Sequence, residues 1–554
     1  MKKDISTLAA LLIASAAFVA CSSDDDSIIE DQQPATTGTY TMTIEASKGD
    51  AATTRALTLS NKTLNATWAQ GEAVTVYNVT RSADLTGTLT AQSSGATTVL
   101  KGTLTGTIQN GDELKLKFLS PDYDTQDGTL TYIATHCDYA EATVTVTDAS
   151  APSVTTTDAS FVNQQAIVKF TLKDDPNSVF NATQLTISDG SNTYTVTPAS
   201  ATSELFVALP SITSQTVTLT ATDGTNNVKY VKGGVSFANG QYYEIGVQMT
   251  YLISTLDQWN GFAAKVNVDG HAAIRAKQTA NISGVTTVVG NSESNPFRGS
   301  YNGQGYTISN VNINNSEGTN PTGLFGTVNS ASSVIENVVV ASGTVSSTGQ
   351  NVGAVVGELN SGTVQYCANH AEVTTSYTSD KNRLGGVVGW MSSSGGDNNR
   401  IEHCINYGYV HGKSYVGGVV GCFGGGFVTS CQNYGTVQLS GASGAGIVGW
   451  NTSKDYTKIQ SNHSAGPIKV GSKSQYQGKT ACYIICSNSL LASHVYYPNN
   501  TYLYTMTITI GSTDYTDYTG NDLATFEPAA QAVDSNPAGI TIGGTTYSSP
   551  APQN

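Results

Sequence analysis

Cysteine and histidine carry most of the metal-binding potential of this sequence, because thiolate and imidazole groups are the usual ligands of zinc. The chain has eight cysteines and seven histidines. Three cysteines hold the same position in a recurring segment, and histidines lie near them: Cys367, Cys404 and Cys431, beside His370, His403 and His411. These cysteines form no Cys-x-x-Cys pair and the histidines differ in register between segments, which disfavours zinc. We expect the cysteines to form a column of small buried groups.

The sequence supports redox or acid–base chemistry no better than it supports a zinc site. Cys482 and Cys486 are four residues apart, which puts their sulfur atoms on one face of a strand but too far apart for an easy disulfide. No two histidines stand in a His-Glu-x-x-His relation, so that class of metallopeptidase is excluded. The acidic residues between 301 and 480 are scattered, without a repeating pair. We therefore predict a non-enzymatic protein with no catalytic residue, no metal site and no cofactor.

Length and composition predict the kind of fold that must position the remaining residues. The chain has 554 residues, of which only 12% are charged, and it contains 56 glycines but 14 prolines. Short strands with tight turns have this composition, so we predict several all-β domains. The formal net charge of −15 excludes nucleic acid as a partner, because no basic surface would release counterions.

The N-terminal segment reads as an export signal. Met1-Lys2-Lys3 is followed by an apolar run that is too short to span a membrane and that ends at Ala20-Cys21. This arrangement resembles a bacterial lipoprotein signal, which implies that 1–20 is removed and that Cys21 carries lipid, palmitate included. The acidic run after Cys21 resembles the surface-export signal of Bacteroidetes lipoproteins. The alternative interpretation of this run is a soluble linker. The resemblance implies a surface-exposed lipoprotein of the outer membrane, with a polar tether over 21–38.

Residues 39 to about 250 alternate polar and apolar side chains in short runs, which predicts strands. The first run places Tyr40, Met42 and Ile44 on one face. Two motifs are specific: Thr53-Thr54-Arg55-Ala56 followed by Trp68-Ala69-Gln70-Gly71-Glu72, and Asn239-Gly240-Gln241-Tyr242-Tyr243. Together they resemble the fimbrillin family, the major and minor fimbrial subunits of Bacteroidetes.

The fimbrillin resemblance implies two tandem transthyretin-like β-sandwiches, over 39–157 and 158–250. It also implies cleavage between Arg55 and Ala56, after which the strand of Tyr40, Met42 and Ile44 is displaced and a neighbouring subunit's strand fills its place. Such β-augmentation satisfies an exposed row of backbone groups. The alternative is that Arg55 is an ordinary loop residue.

Residues 251–500 read as a repeat array that begins after a helix, for which Ser254 and Asp257 form a capping-box pattern. Glycine-bounded apolar segments end at glycines 326, 357, 389, 421 and 449, which are 31, 32, 32 and 28 residues apart. The segments resemble GLUG repeats of bacterial surface proteins, which implies a β-solenoid of roughly 30-residue units. We expect Gly386 and Gly418 at tight corners and the recurring asparagines in an amide ladder between units. A C-terminal β cap and flexible tail would occupy 501–554.

Four tyrosines near the repeat turns are candidate ligand contacts, because a phenol combines an apolar face with a hydroxyl group. They are Tyr407, Tyr409, Tyr415 and Tyr434. Packing against neighbouring repeats is the competing interpretation for each of them.

Two functions remain open at this stage. The first is a non-enzymatic adhesin, a fimbrial tip subunit that joins stalk subunits by strand exchange and binds a host surface protein or glycan. The tip position follows because the chain continues for about 300 residues beyond Val247, where a stalk subunit would have a free donor strand. The second is a stand-alone surface lipoprotein that binds or degrades a polysaccharide.

Overall fold

The computed structural model describes residues 37–48, 58–60, 63–65, 67–120, 122–316, 318, 320–377, 381–441, 443–453, 458–471, 480–486, 499–503, 506–510, 512–515 and 531–549. Strands dominate these residues, so the prediction of an all-β protein is confirmed. Among them, no helix is both long enough and apolar enough to cross a membrane.

The first region is a closed barrel. Strands β1 to β11 span, in chain order, Gly38–Lys48, Thr58–Ser60, Thr63–Asn65, Ala73–Asn78, Ala83–Ala91, Thr97–Gly106, Glu113–Phe118, Thr125–Gln126, Ala140–Asp148, Ser153–Thr156 and Ala159–Asn163. Strand β1 pairs antiparallel with β6 on one side and parallel with β10 and β11 on the other. The ring β1-β11-β9-β7-β4-β5-β6 therefore closes, whereas the sequence predicted a two-sheet sandwich here.

The barrel has a hydrophobic core of its own. Trp68 is fully buried in it and makes edge contacts with Phe118 and Phe161, with ring centroids 5.7 Å and 5.0 Å apart. The other core residues come from alternate positions of the barrel strands. Alternation therefore decides which face of each strand lies inside the barrel.

The second region, called the sandwich below, consists of two β-sheets that share one hydrophobic core. Strands β12 to β20 span Ala166–Asp175, Ser178–Val179, Gln184–Ser188, Thr193–Val196, Glu204–Leu209, Ile212–Thr222, Asn227–Phe237, Tyr242–Gln248 and Thr250–Ile253. One sheet contains β12, β13, β16 and β19, and the other contains β8, β14, β15, β17, β18 and β20. The short helix α1 (Leu130–Tyr132) and the π-helical turn Ile133–Cys137 pack against the sandwich core.

Helix α2 (Leu256–Asn267) lies between the sandwich and the repeats. Its N-cap is Thr255, whose Oγ1 accepts a hydrogen bond from the Gln258 backbone N–H at 3.2 Å. The cap is thus one residue later than predicted, because Ser254 instead donates from its hydroxyl and backbone N–H to Gln258 Oε1. Trp259 and Phe262 on the buried face of α2 pack against aromatic rings of the first repeats.

The repeats form a stacked array of parallel strands, called the array below (Arg275–Val533). Strands β21 to β52 span Arg275–Gln278, Ile282–Ser283, Ser300–Asn302, Thr307–Ser309, Val311–Asn315, Phe325–Glu336, Val339–Val340, Gly343–Ser347, Asn351–Gly353, Val356–Gln365, Ala368–Asn369, Glu372–Thr375, Arg383–Gly385, Val388–Met391, Asn399–Glu402, Ile405–Asn406, Val410–Gly412, Val416–Gly417, Val420–Phe423, Phe427–Thr429, Gln432–Asn433, Val437–Leu439, Ser443–Ala445, Val448–Asn451, Ile459–Gln460, His463–Ser464, Ile468–Val470, Thr480–Cys482, Thr501–Leu503, Ile508–Ile510, Thr513–Tyr515 and Gln531–Val533. Equivalent strands of successive repeats pair in parallel and build sheets that run along the array. The short 3-10 helix Ser393–Asn398 interrupts one repeat.

One sheet crosses from the sandwich into the array without a break. Strand β20 pairs antiparallel with β18 of the sandwich and parallel with β21, which pairs in turn with β23. A single hydrophobic core extends from Tyr123 to Ile508 across the junction. The sandwich therefore covers the first repeat and supplies the apolar contact that a terminal repeat otherwise lacks.

A hairpin of β53 (Ile540–Ile542) and β54 (Thr545–Tyr547) lies across the outside of the array. Ile540 and Ile542 are buried against Val339, Ala368 and Ile405, which belong to three successive repeats. We call residues 536–549 the strap. The strap follows the array lengthwise instead of adding a further repeat.

Candidate functional site

Three of the predicted site residues, Cys21, Arg55 and Ala56, lie outside the described residues. The lipid attachment and the cleavage therefore stay predictions. The strand predicted to be displaced is described, and it is β1.

Strand β1 is an integral strand of the barrel. Tyr40, Met42 and Ile44 are all buried, and the side chains between them face outward. Ten consecutive residues of β1, Gly38 to Ser47, are in register with β6. Removal of β1 would leave unpaired backbone groups on both neighbouring strands and an apolar trough between them.

The four predicted tyrosines do not form one row. Tyr407 and Tyr434 lie in one stack, with ring centroids 5.6 Å apart, and pack against the strap. The Tyr407 hydroxyl donates to the Ser548 carbonyl at 2.6 Å. Burial raises the pKa of Tyr434 to about 12, so its hydroxyl is neutral at pH 7. The contacts of Tyr407 and Tyr434 agree with the competing interpretation, in which these rings pack against neighbouring repeats.

Tyr409 and Tyr415 lie on two other faces of the array. The Tyr409 ring lies against His411, and its hydroxyl donates to Gln438 Oε1 at 2.6 Å. The Tyr415 ring stacks on Trp450 at 4.9 Å, over a cluster that includes Cys422 and Cys486. Contact of any of the four with a ligand remains a prediction.

The recurring cysteines form a buried column, as predicted. Cys367, Cys404 and Cys431 are fully buried and free, and each thiol donates to backbone carbonyl groups of its own repeat and the preceding one. Burial raises the pKa of the Cys404 and Cys431 thiols well above the ordinary value, so they are protonated and unreactive. Among the described residues, no three His, Cys, Asp or Glu side chains are grouped as metal ligands.

The predicted asparagine ladder is confirmed. Asn369 Nδ2 donates to Asn406 Oδ1, and Asn406 Nδ2 donates to Asn433 Oδ1, each at 2.9 Å. All three side chains are fully buried. Each amide also bonds backbone groups two residues later in its own repeat, so the ladder fixes both the turn and the register between repeats.

The glycines predicted at corners have a different role. Neither Gly386 nor Gly418 has a positive φ. A Cβ on Gly418 would lie 2.1 Å from the Gly446 carbonyl oxygen and 2.3 Å from Asn433 Cγ, and Gly386 meets the same obstruction one repeat earlier. These glycines are required because the chain of the next repeat approaches too closely for any side chain.

The turn residue that precedes Cys367, Cys404, Cys431, Asn462 or Asn500 has a positive φ although it is not glycine. One such residue comes from each of five successive repeats, with φ between 51° and 62°: Tyr366, His403, Ser430, Ser461 and Asn499. Tyr366 and His403 donate their backbone N–H groups to the next repeat, to the carbonyls of Glu402 and Thr429. We call these five residues the turn column. The left-handed conformation therefore continues the hydrogen bonding between repeats around the turn.

A groove of about 500 Å³ lies between the turn column and the strap. The turn column forms one wall, residues 537–541 of the strap form the other, and Gln432, His463 and Thr501 complete the lining. The sequence did not predict this groove. Tyr366, His403 and Ser430 of the turn column were visible as the residues before the recurring cysteines, but nothing local to residues 536–549 indicates that they return to the array.

His463 joins the floor of the groove to the strap. Its Nδ1 lies 2.9 Å from Thr501 Oγ1 and its Nε2 lies 2.9 Å from Asn536 Oδ1. The ring is almost fully buried, and burial lowers the pKa of His463 below its ordinary value. A neutral imidazole therefore holds the strap at physiological pH.

A second polar cluster lies where the sandwich meets the loop after α2. The buried Asp174 carboxylate accepts from the Tyr251 hydroxyl at 2.6 Å and lies 2.8 Å from His271 Nδ1. Burial raises the pKa of Asp174, while these two partners act in the opposite direction. The cluster ties the end of β12 to this loop, which is a structural role.

The comparisons with known proteins place the chain in no family. No family model matches the sequence. The chain is 34% identical over 144 residues to halomucin of Haloquadratum walsbyi, a match that covers 26% of this chain and 1% of halomucin. The chain therefore spans about 1% of the length of this curated relative.

The solved structures that the chain resembles include a protease, a fimbrial assembly protein and cell adhesion proteins by description. A candidate immunoglobulin A1 protease from Bacteroides ovatus has a TM-score of 0.41 at 20% identity, over 51% of this chain and 84% of that chain. A fimbrial assembly protein from Parabacteroides distasonis has a TM-score of 0.23 at 14% identity, over 38% of this chain and 92% of that chain. Cell adhesion proteins of Bacteroides species are also among the similar structures. Similarity at this level carries no argument about function.

Proposed function

We propose that this chain is a non-enzymatic cell-surface adhesin, a fimbrial tip subunit whose barrel accepts a strand from a stalk subunit and whose array faces outward as a β-solenoid head of the GLUG type. The observation that carries the proposal is the position of β1. It is the first described strand of the barrel, and the Arg55 bond follows it in the sequence.

Cleavage at Arg55 would turn β1 from a continuous part of the chain into a separate peptide. Its hold on the barrel is generic, because it consists of backbone pairing with β6, β10 and β11 and of alternate apolar side chains. A strand from another subunit with the same alternation makes equivalent contacts. The empty trough is a strong acceptor because it exposes apolar surface and unpaired backbone groups together.

The same chain has no strand to donate near Tyr243. Strand β19 (Tyr242–Gln248) pairs in parallel with β12 along its whole length and leads directly into β20, which is bonded to the array. Strand β50 (Ile508–Ile510) is paired with β47 and β51 inside the array. A subunit that accepts a strand without donating one ends a fimbria, which supports the tip position.

Lipid at Cys21 would anchor the protein in the outer membrane before processing. A single acyl chain binds membranes weakly, so the several chains of a lipoprotein, palmitate included, would be needed. Cys21→Ala is expected to release the protein from the membrane fraction. Unchanged partitioning of this variant would refute the lipid assignment.

The test is to treat the purified full chain with an arginine-specific endoprotease and then to sequence the N-terminus. We expect the mature chain to begin at Ala56 and to bind a synthetic peptide of residues 38–48, which stands in for the donor strand. Arg55→Ala is the control that should stay intact and bind no peptide. Failure of the cleaved protein to bind any alternating apolar strand would refute strand acceptance.

Immunogold labelling on the cell surface tests the tip position. We expect label at one end of each fimbria. Label along the whole length would refute the tip role, and lipidated protein with an intact Arg55 bond would favour the stand-alone polysaccharide-binding lipoprotein.

A further inference from the structure

We propose that the groove between the turn column and the strap binds a neutral oligosaccharide. This inference deepens the adhesin proposal, because it names a ligand class and a binding site for the head. It rests on the groove shape, on the unused hydrogen-bonding groups in it and on the uncharged side chains of the described residues that line it.

The shape of the groove follows from the side chains of the turn column. The Tyr366 and His403 rings are stacked, with centroids 4.8 Å apart. The next two positions carry the small side chains of Ser430 and Ser461. The wall is therefore higher at the Tyr366 and His403 rings than at the two serines. The face of the His403 ring that is turned away from Tyr366 closes one end of the groove. A flat aromatic face of this kind packs against the C–H face of a pyranose ring.

Hydrogen-bonding capacity continues along the same wall. Within the described part of the chain, the side chains of Ser430, Ser461 and Asn499 have no hydrogen-bond partner, and they are not occupied in holding the fold. Parallel strands place successive members of the column about 4.8 Å apart. This spacing is comparable with the length of one sugar unit, so consecutive units of an oligosaccharide meet consecutive hydroxyl or amide groups.

The charge of the lining selects among ligands. Among the described residues that line the groove, none is Asp, Glu, Lys or Arg. A carboxylated or sulfated sugar would find no cation there and would be repelled by a chain of net charge −15. A basic peptide would find no carboxylate in the groove. Polar uncharged groups beside aromatic rings fit a neutral polyhydroxylated ligand.

The second wall is held in place before any ligand arrives. Gln432 Nε2 donates to the Ala538 carbonyl at 3.0 Å, and His463 contacts Asn536 beside it. Ile540 and Ile542 fix the following strand in an apolar cluster. The groove is therefore preformed, which reduces the entropy lost when a flexible chain of sugars binds.

The test uses the purified full chain and isothermal titration calorimetry with maltohexaose, cellohexaose and xylohexaose, and with hexagalacturonate as the anionic probe. We expect saturable binding of at least one neutral hexasaccharide and none of hexagalacturonate. Tyr366→Ala combined with His403→Ala should weaken the binding about tenfold or more. Ala538→Trp, which adds bulk from an exposed position of the opposite wall, should abolish it without touching the array.

Tyr132→Ala combined with His136→Ala is the matched control, because it removes a stacked Tyr–His ring pair that lies beside the sandwich, away from the groove. Full binding by this control is expected. Absence of binding to all three neutral probes, equal loss in the control pair, or tighter binding of hexagalacturonate would overturn the proposal. The assay needs neither cleavage nor a fimbria, so its failure would leave strand acceptance intact, and failure of strand acceptance would leave the groove intact.

Discussion

The barrel and the array hold their strands in place in different ways. In the barrel, alternation of apolar residues decides which face is buried, and β1 is held by generic backbone pairing. In the array, identical residues lie on one another, and close approach between repeats leaves no room for a side chain at Gly418. From this comparison we expect that a barrel strand can be exchanged for one of similar pattern, whereas an array repeat cannot.

The largest expected effect comes from a methyl group in the array. Gly418→Ala would place Cβ against the Gly446 carbonyl, which cannot move without shifting a whole repeat. We expect the array to lose on the order of 5 kcal/mol of stability. Gly425→Ala is the matched control, because its Cβ would have no neighbour closer than 3.7 Å and its φ is not positive. Equal calorimetric stability of the two variants would show that repeats are not closely packed at these glycines.

The second effect tests whether the barrel unfolds independently. Trp68→Ala would empty the centre of the barrel core, at a cost of about 4 kcal/mol. We expect hydrogen exchange to accelerate in residues 67–118 and to stay unchanged in the array, because the two cores are separate. Faster exchange in both regions would show that the barrel does not unfold independently of the array.

A smaller effect concerns the amide ladder. Asn406→Ala would remove the acceptor of the Asn369 side-chain Nδ2 and the donor to the Asn433 side-chain Oδ1. We expect a loss of about 2 to 3 kcal/mol, because buried polar groups are costly when unpaired. Chemical denaturation would measure it, with the exposed Asn239→Ala as the control outside the array. A change below the error of that measurement would mean that backbone pairing alone fixes the register.

The smallest effect is a dependence on pH. Since burial lowers the pKa of His463 in the folded protein, the unfolded state binds a proton more readily. Stability from the neutral ring is present above the unfolded pKa of about 6.5 and declines as the pH falls below it. We expect faster hydrogen exchange in the strap at pH 5 than at pH 7, with the barrel unaffected. His463→Gln should reduce the difference, and its combination with His370→Gln should abolish it, because burial also lowers the pKa of His370, whose ring lies beside Tyr547 of the strap. Persistence of the difference in the double variant would assign it to another group.

The sequence was most informative where a pattern repeats locally. The spacing of Cys367, Cys404 and Cys431 predicted a buried column, and the recurring asparagines predicted the ladder. Both succeed because neighbours in a stacked array occupy equivalent sequence positions. The closure of the barrel was missed, because parallel pairing of β1 with β10 and β11 joins segments about 110 residues apart and leaves no local signal. The groove was missed for the same reason, since one of its walls comes from residues 537–541.

The strap also changes how the array comes apart. In a simple stack each unit touches only its neighbours, so fraying starts at the exposed end and proceeds one unit at a time. Here the strap contacts His463 near one end, and its tip at Gly543 approaches Gly305 near the other so closely that a Cβ on Gly305 would lie 2.6 Å from Gly543 Cα. Late units cannot peel away without first breaking a contact with early ones. A pulling force on the array would therefore meet one large barrier instead of a series of small ones.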